Sequence, residues 1–515
     1  MKNTILMIIF AFLIGILLLS PIYAEIATKQ EALTIANNWI TTIIHHNSNW
    51  GGYEKAAVQE IQEFKHEGRT IGYFCSVMPK GYIIVSILKE LAPVKAYSAT
   101  CNLDPDIDEG LTDFLKIKMV RILNSIERQL GPIQSVKNKE LEDILEICYR
   151  SVWDEFEVPC EVFYEHLGTS SILADYNEGQ QLLTSDWNQN NPYNLYCPAP
   201  PGGDDCTRSN CSVGCVATAA GQIMHHWNWP PFGQGGSPYS DTYGWLFIPD
   251  TCTSFSATEQ KDATAELCSE VGQACLMDYC VSSTGSGCGS SATHPDMIDA
   301  YINNFRYSDD CSSVPRNIFS ANNWFGIMQD QFEWNQPVQY GIPGHSLISD
   351  GWKIVASEKQ YHMNYGWAGW VDTLDAEWDP YSNSNTWYTL DELPGGDTLG
   401  EDMILNIYPI TAIGGSFSGT YNRDASFIYR YFTHDATCAT DASFGIGQRL
   451  QFLPRVEVKC QSTTGYVQFN GSAVSGFDNW LYSINNEDQK VGIRIYDGSV
   501  RLCENGGIRF HGQYP

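Results

Sequence analysis

The stretch NCSVGCVATAAGQIMHHW (Asn210 to Trp227) sets Cys215 at the head of a run of small and apolar residues. Gly214 precedes the thiol. Ala217, Ala219 and Ala220 favour helix, and Val216, Ile223 and Trp227 share one flank at helical spacing. Asn228 and Pro230 end the run, so a helix is expected to begin at Cys215. A cysteine there sits in the positive end of the helix macrodipole, which favours its thiolate. The small residues after it let other segments pack close. Both features suit a nucleophile. Spacing alone leaves a second reading open, in which Cys215 is half of a bridge to Cys211 or Cys206.

A nucleophilic thiol needs an imidazole partner. The chain has 11 histidines. His225 and His226 lie two to three turns down the same helix, too far to reach the sulfur, and adjacent positions point different ways. His345 lies in NQPVQYGIPGHSLISDGW. There PVQYG and HSLISDGW read as two strands meeting at a Gly/Pro turn, and Gly344 leaves room beside the ring. A lone histidine in a strand is ordinarily structural, so these residues nominate a pair without deciding it.

The elements that must position them sit in a long chain built for export. Lys2, the apolar run Ile5 to Leu19 and SPIYA ending at Ala24 read as a signal peptide over residues 1–24. The competing reading is a membrane anchor, for which the run is short. The chain of 515 residues exceeds one core, so roughly two to four domains are expected. With 17% charged and 43% hydrophobic residues it is globular rather than disordered. A net charge of −30 argues against nucleic acid and anionic membranes as partners. Seventeen cysteines in an exported chain imply a disulfide framework, and the odd total leaves at least one thiol without an intramolecular partner. Cys206, Cys211 and Cys215 lack C-x-x-C spacing and a matching His/Cys pair, so zinc is not indicated. No metal or organic cofactor is expected.

The texture changes twice along the chain. Residues 25–172 mix helices and strands. TKQEALTIANNWITTII carries Thr28 and Glu31 at capping-box spacing, GYFCSVMP and GYIIVSI read as a strand pair, and LTDFLKIKMVRILNSIERQL is an amphipathic helix. The acidic DPDIDEG before that helix is not a calcium loop. Gly110 comes one place late, and Leu115 stands where a bidentate Glu belongs. The polar text near residues 165–185 has linker composition, open to proteolysis. Residues 173–412 are dense in Trp, Tyr, Gly and Cys, with long Gly/Ser loops of the kind that carry function. Residues 413–515 break into short alternating runs and read as a β-rich module.

Four stretches in order resemble the streptopain family of bacterial cysteine peptidases, a papain-like group. They are WNQNNPYNLYCP (Trp187 to Pro198), GCVATAAGQIMHHWNWP, VGQACLMDYCVSSTGSGCGSS (Val271 to Ser291) and NQPVQYGIPGHSLISDGWKIVASEKQYHMNYGWAGW (Asn335 to Trp370). With a looser likeness to the family's inhibitory prodomain, the resemblance spans roughly residues 25–400. It implies an α+β fold: a papain-like peptidase domain behind an α+β inhibitory prodomain, with the small all-β module following.

Carried over residue by residue, the resemblance makes Cys215 the nucleophile and His345 the general base paired with it. It makes Gln189 the side-chain donor of the oxyanion hole, beside the Cys215 N–H. Asn364 becomes the residue that helps orient the histidine ring, and Trp367 the tryptophan that shields it. Met277, Tyr279 and Gly344 become substrate-wall residues. Tyr365 departs from the family, which places a tryptophan there, and so does the high cysteine content. Cys206 and Cys211 are expected in bridges. The implied function is a secreted cysteine endopeptidase made as a zymogen, acting on proteins or peptides and silenced by its own prodomain. The alternative is an inactive peptidase-like protein that binds surfaces. The texture of the tail fits cell-surface or glycan contact, or a stabilising appendage.

Overall fold

The structure, a computed structural model, describes residues 23–504 apart from 109, 160–161, 164–177, 202–205, 207, 237, 282–287, 356, 367–385, 390–399, 422–428, 445–448, 453–457, 461–466, 470–480, 484–493 and 498–499. Residues 1–22 of the expected signal segment, Trp367 and most of the expected linker lie outside the described residues. No helix among the described residues is long and apolar enough to cross a membrane.

Helix α1 (Lys29–Asn47) opens with a complete capping box. The Thr28 hydroxyl accepts from the Glu31 N–H, and the Glu31 carboxylate accepts from the Thr28 N–H. Strands β1 (Ala57–His66), β2 (Arg69–Met78), β3 (Tyr82–Ser86) and β4 (Val94–Ser98) follow as an antiparallel meander. The expected strand pair is β2 with β3, in register from Gly72 opposite Ser86 to Ser76 opposite Tyr82. Helix α2 (Gly110–Leu130) buries Leu111, Leu115, Met119, Ile122 and Ile126, a stripe at helical spacing. Asp108, in the acidic run ahead of it, pairs with Lys116 at 2.8 Å. Short helices α3 (Asn138–Ile144) and α4 (Arg150–Phe156) complete this part.

The second part contributes α5 (Cys215–Trp227), α6 (Thr258–Ala274), α7 (His294–Asn303), β5 (Ser312–Pro315) and α8 (Ala321–Glu333). Strands β6 (Val338–Ile342), β7 (His345–Val355), β8 (Glu358–Asn364), β9 (Thr386–Thr389) and β10 (Asp402–Leu405) follow. Strands β6 and β7 form the expected hairpin around Pro343–Gly344. All these strands and β1–β4 belong to one ten-stranded sheet of order β1-β2-β3-β4-β9-β8-β7-β6-β10-β5. Strand β9 comes late in the chain yet lies between β4 and β8, so the first part extends the sheet of the second. The seam is short, with Ala96 opposite Tyr388 and Tyr97 opposite Trp387.

The remaining described elements are all strands, from β11 (Ala412–Tyr421) and β12 (Tyr429–Phe444) onward. Strands β11 and β12 pair in parallel, not as a hairpin. This region is also not a loose appendage. Tyr431 packs edge-on against Trp227 and Trp229 at the end of α5, at 6.1 and 5.8 Å between ring centroids. The Asn335 amide donates to the Thr433 carbonyl at 2.7 Å.

Candidate active site

Helix α5 begins at Cys215, as its sequence indicates. Gly214 caps it at φ 90°, and a side chain there would place Cβ 2.6 Å from the Met277 sulfur. Only glycine reconciles that backbone with that neighbour. Further along, Gly221 leaves room for Trp187, whose ring lies 3.0 Å from where a Cβ would stand. The small residues therefore do let other segments approach.

Cys215 is half-buried and not bridged. The bridges are Cys206–Cys288 and Cys211–Cys280. Both tie the approach to α5 onto the segment after Met277, which holds Met277 over Gly214. Burial pushes the Cys215 thiol up, while backbone N–H groups of Ser346, Val216 and Cys215 itself pull it down. Burial outweighs these donors, so the lowering expected from the helix terminus is not realised in the closed chain. The Ser346 contact sets the sulfur beside the first turn of the strand that starts at His345.

His345 is the first residue of β7, next to Gly344 at φ 85° with open space around it. Its Nε2 lies 2.8 Å from the Tyr365 carbonyl, and burial pushes the imidazole down to about 4. Burial thus works against the charged form of both half-buried groups.

Asn364 acts differently from the expectation. Its amide donates to Ser185 O at 2.9 Å and Gln222 Oε1 at 3.2 Å, and its own oxygen accepts the Gly366 N–H at 3.0 Å. The carbonyl on the histidine ring belongs to the next residue, Tyr365. Asn364 fixes the backbone that presents that carbonyl.

Sequence reasoning missed Gln222, two turns along α5. Its Oε1 accepts from Trp187 N at 3.1 Å as well as from Asn364. The signal was an amide within a helix whose residues from Val216 to Trp227 are all buried. Gln189 is half-buried, and its carbonyl accepts the Val213 N–H at 2.9 Å, so its segment runs alongside the approach to Cys215. Tyr279 does not join Met277 over Gly214. Its hydroxyl is directed at Gly272 of α6 and at Cys197, in the core. His225 meets Asp250 at 2.9 Å, and His226 sits between the Leu182 and Asn335 carbonyls, so both are structural.

The first part of the chain reaches this site. Phe114 of α2 packs on the ring of Tyr365, the residue whose carbonyl meets His345, at 5.6 Å between ring centroids. Around the seam, Tyr82 bonds Thr386 at 2.8 Å, and Thr389 donates to Val94 O at 2.6 Å. Lys118 pairs with Glu401, which also accepts from Tyr340 at 2.8 Å. Lys353 is buried between Tyr97, its hydrogen-bond partner, and the Trp387 ring at 3.6 Å. Burial pushes its ammonium well below the usual lysine range.

Comparison with known proteins agrees with this division. Residues 187–374 match the Peptidase C10 family, and residues 24–122 match the Spi protease inhibitor family. Residues 187–374 thus form a cysteine peptidase domain of C10 type, with an inhibitor-type domain ahead of it. Streptopain of Streptococcus pyogenes is 25% identical over 392 residues, covering 70% of this chain and 87% of streptopain. Thiol protease/hemagglutinin PrtT of Porphyromonas gingivalis is 27% identical over 202 residues, covering 36% of this chain and 22% of PrtT. Among solved structures, Prevotella intermedia prointerpain A is 18% identical at a TM-score of 0.49, covering 68% of this chain and 98% of the other. The chain therefore acts on peptide bonds and is inhibited by its own prodomain. The α+β fold and the zymogen organisation match the expectation from sequence.

Proposed function

We propose that Cys215 is the nucleophile and His345 the general base of an exported zymogen. The observation that carries this reading is the unbridged thiol of Cys215 at the start of α5, near enough to the backbone of Ser346, the residue after His345, for that backbone to pull it down. With Nε2 of His345 held by the Tyr365 carbonyl, Nδ1 takes the thiol proton. The thiolate attacks the peptide carbonyl. The developing oxyanion is met by the Cys215 N–H and the Gln189 side chain, and losing one such donor costs about 3–4 kcal/mol of barrier. His345 passes its proton to the leaving amine and then activates the water that releases the acyl-enzyme.

In the zymogen partial burial works against charge on both groups. Prodomain release rehydrates them, which lowers the thiol and raises the imidazole toward the ion pair. Met277 and Gly344 form the substrate wall near Cys215, and Trp367 shields the histidine. Domain limits are proposed at 1–24 for a signal peptide, 25–172 for the prodomain, 173–412 for the peptidase and 413–515 for the β module. Maturation is assigned to the linker near residues 165–180, and surface or glycan contact to the β module.

The test is incubation of the full chain under mild reductant beside Cys215→Ala, followed by intact mass and casein cleavage. Wild type is expected to lose its first ~170 residues and cleave casein, and the variant to do neither. An intact wild type that spares casein after prodomain removal by another protease would mark a binding protein.

A further inference from the structure

Ser346, the residue after His345, is held in a buried chain of polar groups that the reaction described above does not use. It is 4% exposed. Its Oγ lies 2.9 Å from His294 Nε2, and His294 Nδ1 lies 2.8 Å from Asp402 Oδ2. The Gln339 amide donates to the same Oγ at 3.0 Å and to the Val216 carbonyl at 3.1 Å. Gln339 Oε1 accepts from the Tyr301 hydroxyl at 3.0 Å. The network joins α7, β10, β6 and β7 to the first turn of α5.

Its protons distribute in one direction. Both Gln339 amide hydrogens are committed, to Val216 O and to Ser346 Oγ. In the neutral tautomer that donates Nδ1–H to Asp402, His294 Nε2 accepts the Ser346 hydroxyl hydrogen. Gly341 lies opposite Ser346 in the β6–β7 register, and a Cβ on it would stand 2.1 Å from Asp402 Oδ1 and 2.7 Å from His294 Cε1. A bare strand at this point is what lets the acid and imidazole reach Ser346.

Carboxylate, imidazole and hydroxyl at these distances have the layout of a serine hydrolase triad. Ser346 is no nucleophile, because its oxygen is buried and already engaged by Gln339 and His294. Its backbone faces the chemistry instead: the Ser346 backbone pulls the Cys215 thiol down, and Gln339 bridges Ser346 Oγ to the residue next to Cys215. A hydrogen bond to a thiolate favours it over the thiol. The Gln339 bond to Val216 O ties the adjoining residue of α5 to the same serine, so one network holds both sides of that contact.

We propose that Ser346, fixed by His294, Asp402 and Gln339, is a positioning residue that aims its N–H at the Cys215 sulfur and keeps α5 and β7 in register for the reaction. This rests on Cys215 being the nucleophile.

The experiment is the pH dependence of Cys215 alkylation by iodoacetamide, read by peptide mass. It is made on full-length chains matured in trans with a trace of wild-type enzyme, beside kcat and KM on a peptide substrate. The titratable group that interacts with the sulfur is Cys275 after α6, and His345 adjoins Ser346 on β7. Ser346→Ala and His294→Gln are expected to move the alkylation midpoint up by about one unit and lower kcat about tenfold, with KM within about twofold. Ser346→Thr keeps the hydroxyl and restores both. Asp402→Asn, at a partly exposed side chain, gives the same shift in smaller measure and covers the case in which Ser346→Ala does not fold. An unmoved midpoint in the folded variants, or lower thermal stability with no change in midpoint or kcat, overturns the positioning role. Wild-type Cys215 that neither alkylates rapidly nor supports casein cleavage would instead remove the nucleophile assignment.

Discussion

Replacing Phe114 by alanine should open the zymogen without touching the enzyme. Phe114 sits on α2 of the prodomain, half-buried, with its ring 5.6 Å from that of Tyr365. Tyr365 is 1% exposed, and its carbonyl holds His345. A fully buried Phe→Ala costs about 3–5 kcal/mol. Half-burial reduces that to roughly 2 kcal/mol, which includes the aromatic pair at about 0.5–1.5. All of it is lost from the docked state, so the open fraction should rise about 30-fold. The assay is the rate at which a peptidyl thiol electrophile labels Cys215 in the intact zymogen, with uncut chains selected by mass. Labelling should be about 30-fold faster in Phe114→Ala than in wild type. The control is Ile126→Val, which trims a fully buried α2 residue by about 1 kcal/mol away from Tyr365 and should change labelling by well under tenfold. A Phe114→Ala chain that folds yet labels at the wild-type rate would refute the idea that the prodomain acts on the histidine through Tyr365.

Lys353 should make prodomain docking weaken with acid. Docked, its ammonium is pushed well below the ordinary 10.5 by burial, and undocking lets it recover. The open state therefore binds the extra proton, and docking is lost as pH falls from 10.5 toward the docked value, by up to about 1.4 kcal/mol per pH unit. Denaturant titrations of the Cys215→Ala chain across pH should show this slope, and adding Lys353→Met should flatten it. Gly214→Ala should cost about 1–2 kcal/mol in backbone strain alone, and should lower kcat/KM because the Met277 sulfur must move. A normal melting temperature and normal kcat/KM would contradict that packing. Cys206–Cys288 encloses the Cys211–Cys280 bridge, so removing it alone frees an effective loop of only about 14 residues and should cost roughly 3 kcal/mol by chain entropy. The melting temperature of a Cys206→Ser/Cys288→Ser chain tests it.

Local features of the site were legible in the sequence. The start of α5 at Cys215, the Gly/Pro hairpin before His345 and the capping box at Thr28 each depend on a few neighbouring residues. Bridges at Cys206 and Cys211 were expected too, but not their partners Cys288 and Cys280, which only the folded loops bring close. Long-range hydrogen bonds were illegible. An asparagine announces that it can donate and accept, not to whom. Asn364 therefore proved to brace the backbone around Tyr365 rather than the histidine ring. Gln222, Gln339 and His294 are single polar residues in apolar surroundings, and their meaning appears only when strands distant in sequence are laid side by side. The parallel pairing of β11 and β12 was hidden for a related reason, since alternation identifies a strand but not its direction.

The seam between β4 and β9 has a further consequence once the connecting chain is cut. While the polypeptide is continuous, the prodomain meets the enzyme at an effective concentration in the millimolar range, about what short tethers provide. Cleavage alters none of the contacts at Tyr388, Trp387 or Phe114. It changes only the reference: a tethered fragment becomes a solute, and dilution favours separation. A sheet that would hold indefinitely within one chain thus becomes a complex with a lifetime. Activation then reads out as dependence on total protein concentration, crowded zymogens staying silent after the cut and dispersed ones waking.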